Sequence, residues 1–115
     1  MVSTSRLSES LTDTMTTLRI TSTELAGAVG ASDRTLARWM ADETYPQHDS
    51  RRKLSELEDL AHRLSESFSS PDAIADWLHA ESGYFGGLRP IDALRCGRID
   101  AVDAALESIL SGIFV

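Results

Sequence analysis

Apolar residues recur along this chain at intervals of three and four, the spacing that gathers them on one face of an α-helix. Leu7, Leu11, Met15 and Leu18 make the first such stripe and predict a helix over residues 5–18. Its many Ser and Thr residues are weak helix formers, so packing must hold it. Residues 21–40 read as two short helices. Thr23 can cap one that buries Leu25, Ala26 and Val29, and Gly30 supplies a left-handed stop. Ser32 can cap the next, with Leu36, Trp39 and Met40 turned inward. A turn of about three residues with a glycine predicts a helix-turn-helix, its helices crossing closely at Ala26. Residues 41–49 read as a loop around Pro46, with Asp49 or Ser50 as the next cap. Leu54, Leu57, Ala61, Leu64 and Phe68 then predict an amphipathic helix of about five turns.

The second half repeats the logic with stronger punctuation. Ser70-Pro71-Asp72 is a helix start: a capping hydroxyl, a proline at the first position and an acid at the positive end. Ile74, Trp77 and Leu78 face inward, Glu81-Ser82-Gly83 closes the helix, and Trp77, Tyr84 and Phe85 are expected to fill a second core. Pro90 opens a short helix with Ile91 and Leu94 inside, and Gly97 stops it. The last stripe is Ile99, Val102, Leu106, Ile109 and Ile113, with Ala101, Ala104 and Ala105 allowing close approach. Gly112 can end this helix and release Ile113, Phe114 and Val115. The expected architecture is all-α: a helix-turn-helix lobe at 1–49, a connecting helix at 50–69 and a helical lobe at 70–115.

Charge and chemistry narrow the function. The net charge is −7, yet acids and bases balance over residues 1–20 and again over 21–53, so the whole excess falls on 54–115. An acidic lobe repels DNA phosphates and suits a basic protein partner; solubility alone is the competing explanation. The single Cys96 excludes an internal disulfide and a cysteine-cluster zinc site. No signal-like segment or membrane-length apolar run is present, so the expected location is the cytoplasm, with no membrane partner. No phosphate loop, HExxH or GxSxG motif occurs, and His48 and His62 stand alone. Glu56, Glu58 and Asp59 fall on an exposed helix face, as solvated charge does. The expectation is a protein that is not an enzyme and needs no metal or cofactor. On the second short helix, Ser32, Arg34, Thr35 and Arg38 are candidate DNA contacts, with Arg51, Arg52 and Lys53 as backbone contacts; Asp33 opposes them.

The pair of short helices at 21–40 resembles the helix-turn-helix of phage-repressor-like (Xre-type) regulators. Residues 71–115 go further. A tryptophan-bearing helix, the loop YFGGLRP, then IDALRCG and an amphipathic helix ending in Gly resemble the toxin-binding domain of the Xre/MbcA/ParS antitoxin family. The short apolar end is similar to that of the mycobacterial-type members. The resemblance implies an antitoxin that neutralises a RES-domain toxin, an enzyme that destroys NAD, by blocking its active site. It implies Gly112, Ile113, Phe114 and Val115 as the blocking segment. It sets Leu88, Arg89, Pro90 and Ile91 near the docking surface. Repression of its own operon, with operator DNA as a second partner, is a further implication. The alternatives are a stand-alone helix-turn-helix regulator acting as a homodimer through its second lobe, and a ParS-like adaptor.

Overall fold

Residues 4–112 are described by the structure, a computed structural model, and they form helices and turns with no strand. The helices are Thr4–Leu18 (α1), Ser22–Val29 (α2), Asp33–Met40 (α3), His48–Ser67 (α4), Pro71–His79 (α5), Pro90–Arg95 (α6) and Ile99–Ser111 (α7). A 3₁₀ turn at Gly83–Phe85 links α5 to α6. The all-α expectation holds. Ile113, Phe114 and Val115, the centre of the tail reading, lie outside the described residues.

The caps explain where the helices start. Thr21, not Thr23, caps α2: its hydroxyl accepts from the Glu24 N–H at 3.1 Å, and the Glu24 carboxylate accepts from the Thr21 N–H at 2.9 Å. This reciprocal box satisfies two donors at once, which Thr23 cannot do from inside the first turn. Thr23 instead donates to Asp33 at 3.3 Å. Gly30 takes the left-handed φ of 75° expected of it, and Ser32 caps α3 through the Thr35 N–H. Neither Asp49 nor Ser50 caps α4, which starts at His48 behind an extended Gln47 that makes no side-chain cap bond. Asp49 lies within the first turn, where its charge meets the positive helix end. Ser70 caps α5 as expected, accepting from the Ala73 N–H at 3.2 Å.

One buried cluster runs through every helix. It takes Leu11 and Leu18 from α1, Leu25 and Val29 from α2, Leu36 and Trp39 from α3, and Leu57, Leu60 and Leu64 from α4. To these it adds Ile74, Leu78, Ile91, Leu94, Val102 and Leu106 from α5, α6 and α7. α4 lies at the centre, touching α1, α2, α5 and α7, while α2 also packs on α6. Helices of both expected lobes therefore share one core. The tight crossing falls at Gly27, one residue beyond Ala26, and against α6: a Cβ there would sit 2.6 Å from the Arg95 carbonyl oxygen. Lys53 of α4 completes this junction by donating to the Gly97 carbonyl at 3.3 Å.

The aromatic second core does not form as expected. Ile74, Leu78, Ile91 and Leu94 fill the interior, and Trp77 and Phe85 pack half-buried against it. Trp77 meets Phe68 at 5.9 Å between ring centroids, and Tyr84, 40% exposed, stands edge-on to Phe85 at 5.2 Å. No helix of the described residues is long and apolar enough to cross a membrane.

Candidate partner-binding site

The last turns of α7 are unlike the rest of the helix. Ile99, Val102, Ala105 and Leu106 are buried, and none of residues 107–111 is. Ile109, placed by its spacing on the buried stripe, is 46% exposed, and Leu110 beside it is 52% exposed. The stripe fails at Ile109 because α7 has by then outrun the core that Leu106 still reaches. Leu110, four residues past Leu106, keeps the helical spacing in the sequence as Ile109 does, and only the packing reveals that both stand in water. Gly112 follows with φ 74°, its N–H bonded to the Ile109 carbonyl, so the chain leaves the helix axis there. Exposed aliphatic side chains at a helix end offer a partner apolar area without polar groups to desolvate.

The loop before α6 divides the expected docking residues. Leu88 is 63% exposed and Arg89 is half-buried, but Pro90 and Ile91 lie in the core, Ile91 with no exposed surface. Arg89 binds Asp92 through Nε at 3.2 Å and Nη2 at 3.0 Å, and its own N–H donates to the same carboxylate. These bonds from Arg89 hold the Asp92 carboxyl below its ordinary pKa, against the opposing pull of desolvation. Arg95 joins Asp92 to Glu24 of α2, donating to Glu24 through Nε at 3.0 Å. Burial pushes the Glu24 carboxyl up, but the Thr21 N–H and the Arg95 guanidinium outweigh it, and its pKa falls below the ordinary value. The loop is thus stapled to α2, and Leu88 is its exposed apolar point.

The candidate DNA contacts are only partly available. Arg34, Ala37 and Arg38 are exposed on α3, and Leu36 and Trp39 face the core. Arg34 has no ion-pair partner among the described residues, whereas Arg38 faces Glu43 at 3.7 Å. Ser32 and Thr35 bond to each other at 3.0 Å as part of the α3 cap. Between α4 and α7 a hollow of about 450 Å³ is rimmed by Glu56, Asp59, Arg63, Asp100 and Asp103 over Leu60 and Ile99, with Arg63 paired to Asp103. No group of His, Cys, Asp and Glu among the described residues is arranged to hold a metal ion.

No protein-family model matches the chain. By sequence it is 31% identical to Rv3188 of Mycobacterium tuberculosis, a probable mycobacterial cidal antitoxin, over 91% of this chain and 89% of that one. It is also 31% identical to the mycobacterial cidal antitoxin MbcA of Mycobacterium bovis and Mycobacterium tuberculosis, over 85% of this chain and 86% of those. By structure it is similar to a chain of the M. tuberculosis MbcT–MbcA toxin–antitoxin complex, with a TM-score of 0.69, 28% identity and 96% and 98% of the two chains covered. The class that these relatives define is the antitoxin, a protein that binds and does not catalyse. More narrowly, this chain belongs to the family of mycobacterial cidal antitoxins.

Proposed function

We propose that this antitoxin neutralises a RES-domain, NAD-degrading toxin by setting the segment from Gly112 to Val115 into the toxin's active site. The observation that carries the reading is the end of α7. Two aliphatic side chains stand in water on its last turn, and the left-handed Gly112 then delivers an apolar sequence, Ile113-Phe114-Val115. A cleft that binds a dinucleotide accepts a flat ring, and Phe114 offers one. Each apolar side chain fully buried in such a cleft contributes about 1.5–3 kcal/mol. Leu88 and the exposed edge of Arg89 would widen the contact, with Pro90 and Ile91 supporting them from the core. In this reading residues 70–115 are the toxin-binding part, 50–69 the connector and 1–49 the helix-turn-helix part.

The test is co-expression with the cognate toxin. Deleting residues 113–115 should abolish protection of the cells while the purified antitoxin melts at an unchanged temperature. Full protection by the shortened chain would sink the proposal.

A second role, repression of its own operon as a homodimer on operator DNA, rests on the exposed Arg34 and Arg38 of α3. Dimeric helix-turn-helix proteins place such residues in successive major grooves. Arg34→Ala with Arg38→Ala should abolish retardation of the promoter fragment in low salt and leave toxin neutralisation intact. Unchanged retardation would remove DNA binding from this helix.

A further inference from the structure

Beyond Leu106, α7 has no buried residue to hold it, yet its last turn carries the exposed Ile109 and Leu110. A helix end that overhangs its core is free to splay or rotate unless something grips it from the side. The grip comes from α4. Arg63 bonds Asp103 through Nη1 and Glu107 through Nη2. These two carboxylates are four residues apart and lie one above the other on α7. Glu107 stands past Leu106, so the tie reaches beyond the end of the buried stripe. A planar guanidinium holding two successive turns resists sliding along the helix axis and rotation about it, which one point contact does not. The Arg63 side chain is 32% exposed and those of Asp103 and Glu107 are 44% and 65% exposed, so the fork lies at the surface and acts through its geometry more than its strength. The neighbouring contacts of α4, the ion pair of Arg52 with Glu56 and the contact of His62 with Glu66, stay within α4.

We infer that Arg63 is a positioning residue for toxin neutralisation: its fork on Asp103 and Glu107 fixes the line along which the end of α7 enters the toxin. The inference rests on the tail reading above. It assigns Arg63 no contact with the toxin. Its effect is on how completely a bound antitoxin blocks, more than on whether it binds. Removing the fork leaves the Leu106 anchor and the exposed apolar turn in place, so a complex still forms, but with the blocking segment presented over a range of directions.

The experiment uses the full chain and the cognate toxin, with NAD consumption measured at saturating antitoxin and complex formation measured separately. Arg63→Met, which keeps the side-chain stem, should still form the complex but leave several-fold more residual toxin activity than the native chain. Arg63→Lys, a point charge that cannot span both turns, should fall between. Asp103→Asn with Glu107→Gln removes the fork from the α7 side and should reproduce Arg63→Met, which covers the case in which that variant folds poorly. A purely stabilising role would lower the melting temperature and the amount of complex, while each complex formed would be fully blocked; that result overturns the inference. So does full blocking by both variants when deletion of 113–115 releases the toxin, an outcome that leaves the tail reading standing. If the deletion itself blocks fully, the tail reading fails and this inference falls with it.

Discussion

Gly27 sits where two helices leave no room for a side chain. Its missing Cβ would lie 2.6 Å from the backbone oxygen of Arg95, which cannot swing away as a side chain can. Gly27→Ala should therefore lower stability by about 1–3 kcal/mol, the usual range for overpacking, despite the better helix propensity of alanine. Urea denaturation measures it, and an unchanged midpoint would refute the close approach. Glu24, beside it, makes a pH-dependent contribution. Its pKa is depressed in the folded chain by the Thr21 N–H and Arg95, against the desolvation that raises it. The stabilisation is therefore present above the unfolded value of about 4.3 and is lost as pH falls through the lower folded value. Glu24→Gln should destabilise the protein at pH 7, and the gap between the two proteins should narrow as the pH is taken below about 4. A gap that is constant with pH would show that the carboxylate charge contributes nothing.

At the scale of the element, the same helix contains an anchor and an open surface four residues apart. Leu106 is fully buried and Leu110 is 52% exposed. Leu106→Ala should cost about 2–5 kcal/mol of folding stability, as large-to-small core changes do. Leu110→Ala should shift stability by no more than about 0.5 kcal/mol and should instead weaken toxin binding. Thermal melts and a toxin titration separate the two; equal loss of stability would place Leu110 in the core. The helix ends also account for some of the acidity. Glu24, Asp33, Asp49, Asp72, Asp92 and Asp100 each occupy the first turn of a helix, α2 to α7 in order, where negative charge meets the positive end of the helix dipole. Neither partner attraction nor solubility is needed to explain those six. Most of this was legible in the residues: the stripes of α1 and α4, the Ser32 and Ser70 caps and the Gly30 stop follow local rules. Thr21 was missed because two threonines compete for one cap, and only the reciprocal Glu24 bond distinguishes them. Ile109 was misplaced because periodicity reports a face, not how far the neighbouring helix extends.

For the whole molecule, the long-range contacts were the part that spacing does not encode. Gly27 against Arg95, Lys53 on Gly97, and Arg63 on Asp103 and Glu107 join residues forty or more positions apart. No local pattern in the sequence marks them. The tail reading came from the resemblance and from the apolar composition of the end. The exposed turn of α7 supports it, and residues 113–115 themselves lie beyond what the structure describes. Since α2 is seated on α6, the N-terminal helices have no independent interior. Whatever clasps the far end of α7 therefore reinforces the far side of the molecule as well, because a ligand that binds only the folded chain raises the free energy of unfolding of everything that melts with it. With Trp77→Phe leaving one tryptophan in the chain, Trp39, 3% exposed in α3, can serve as the remote thermometer: its fluorescence transition should move to higher temperature when toxin is added. An unmoved Trp39 transition, with toxin bound, would mean that the antitoxin comes apart in halves.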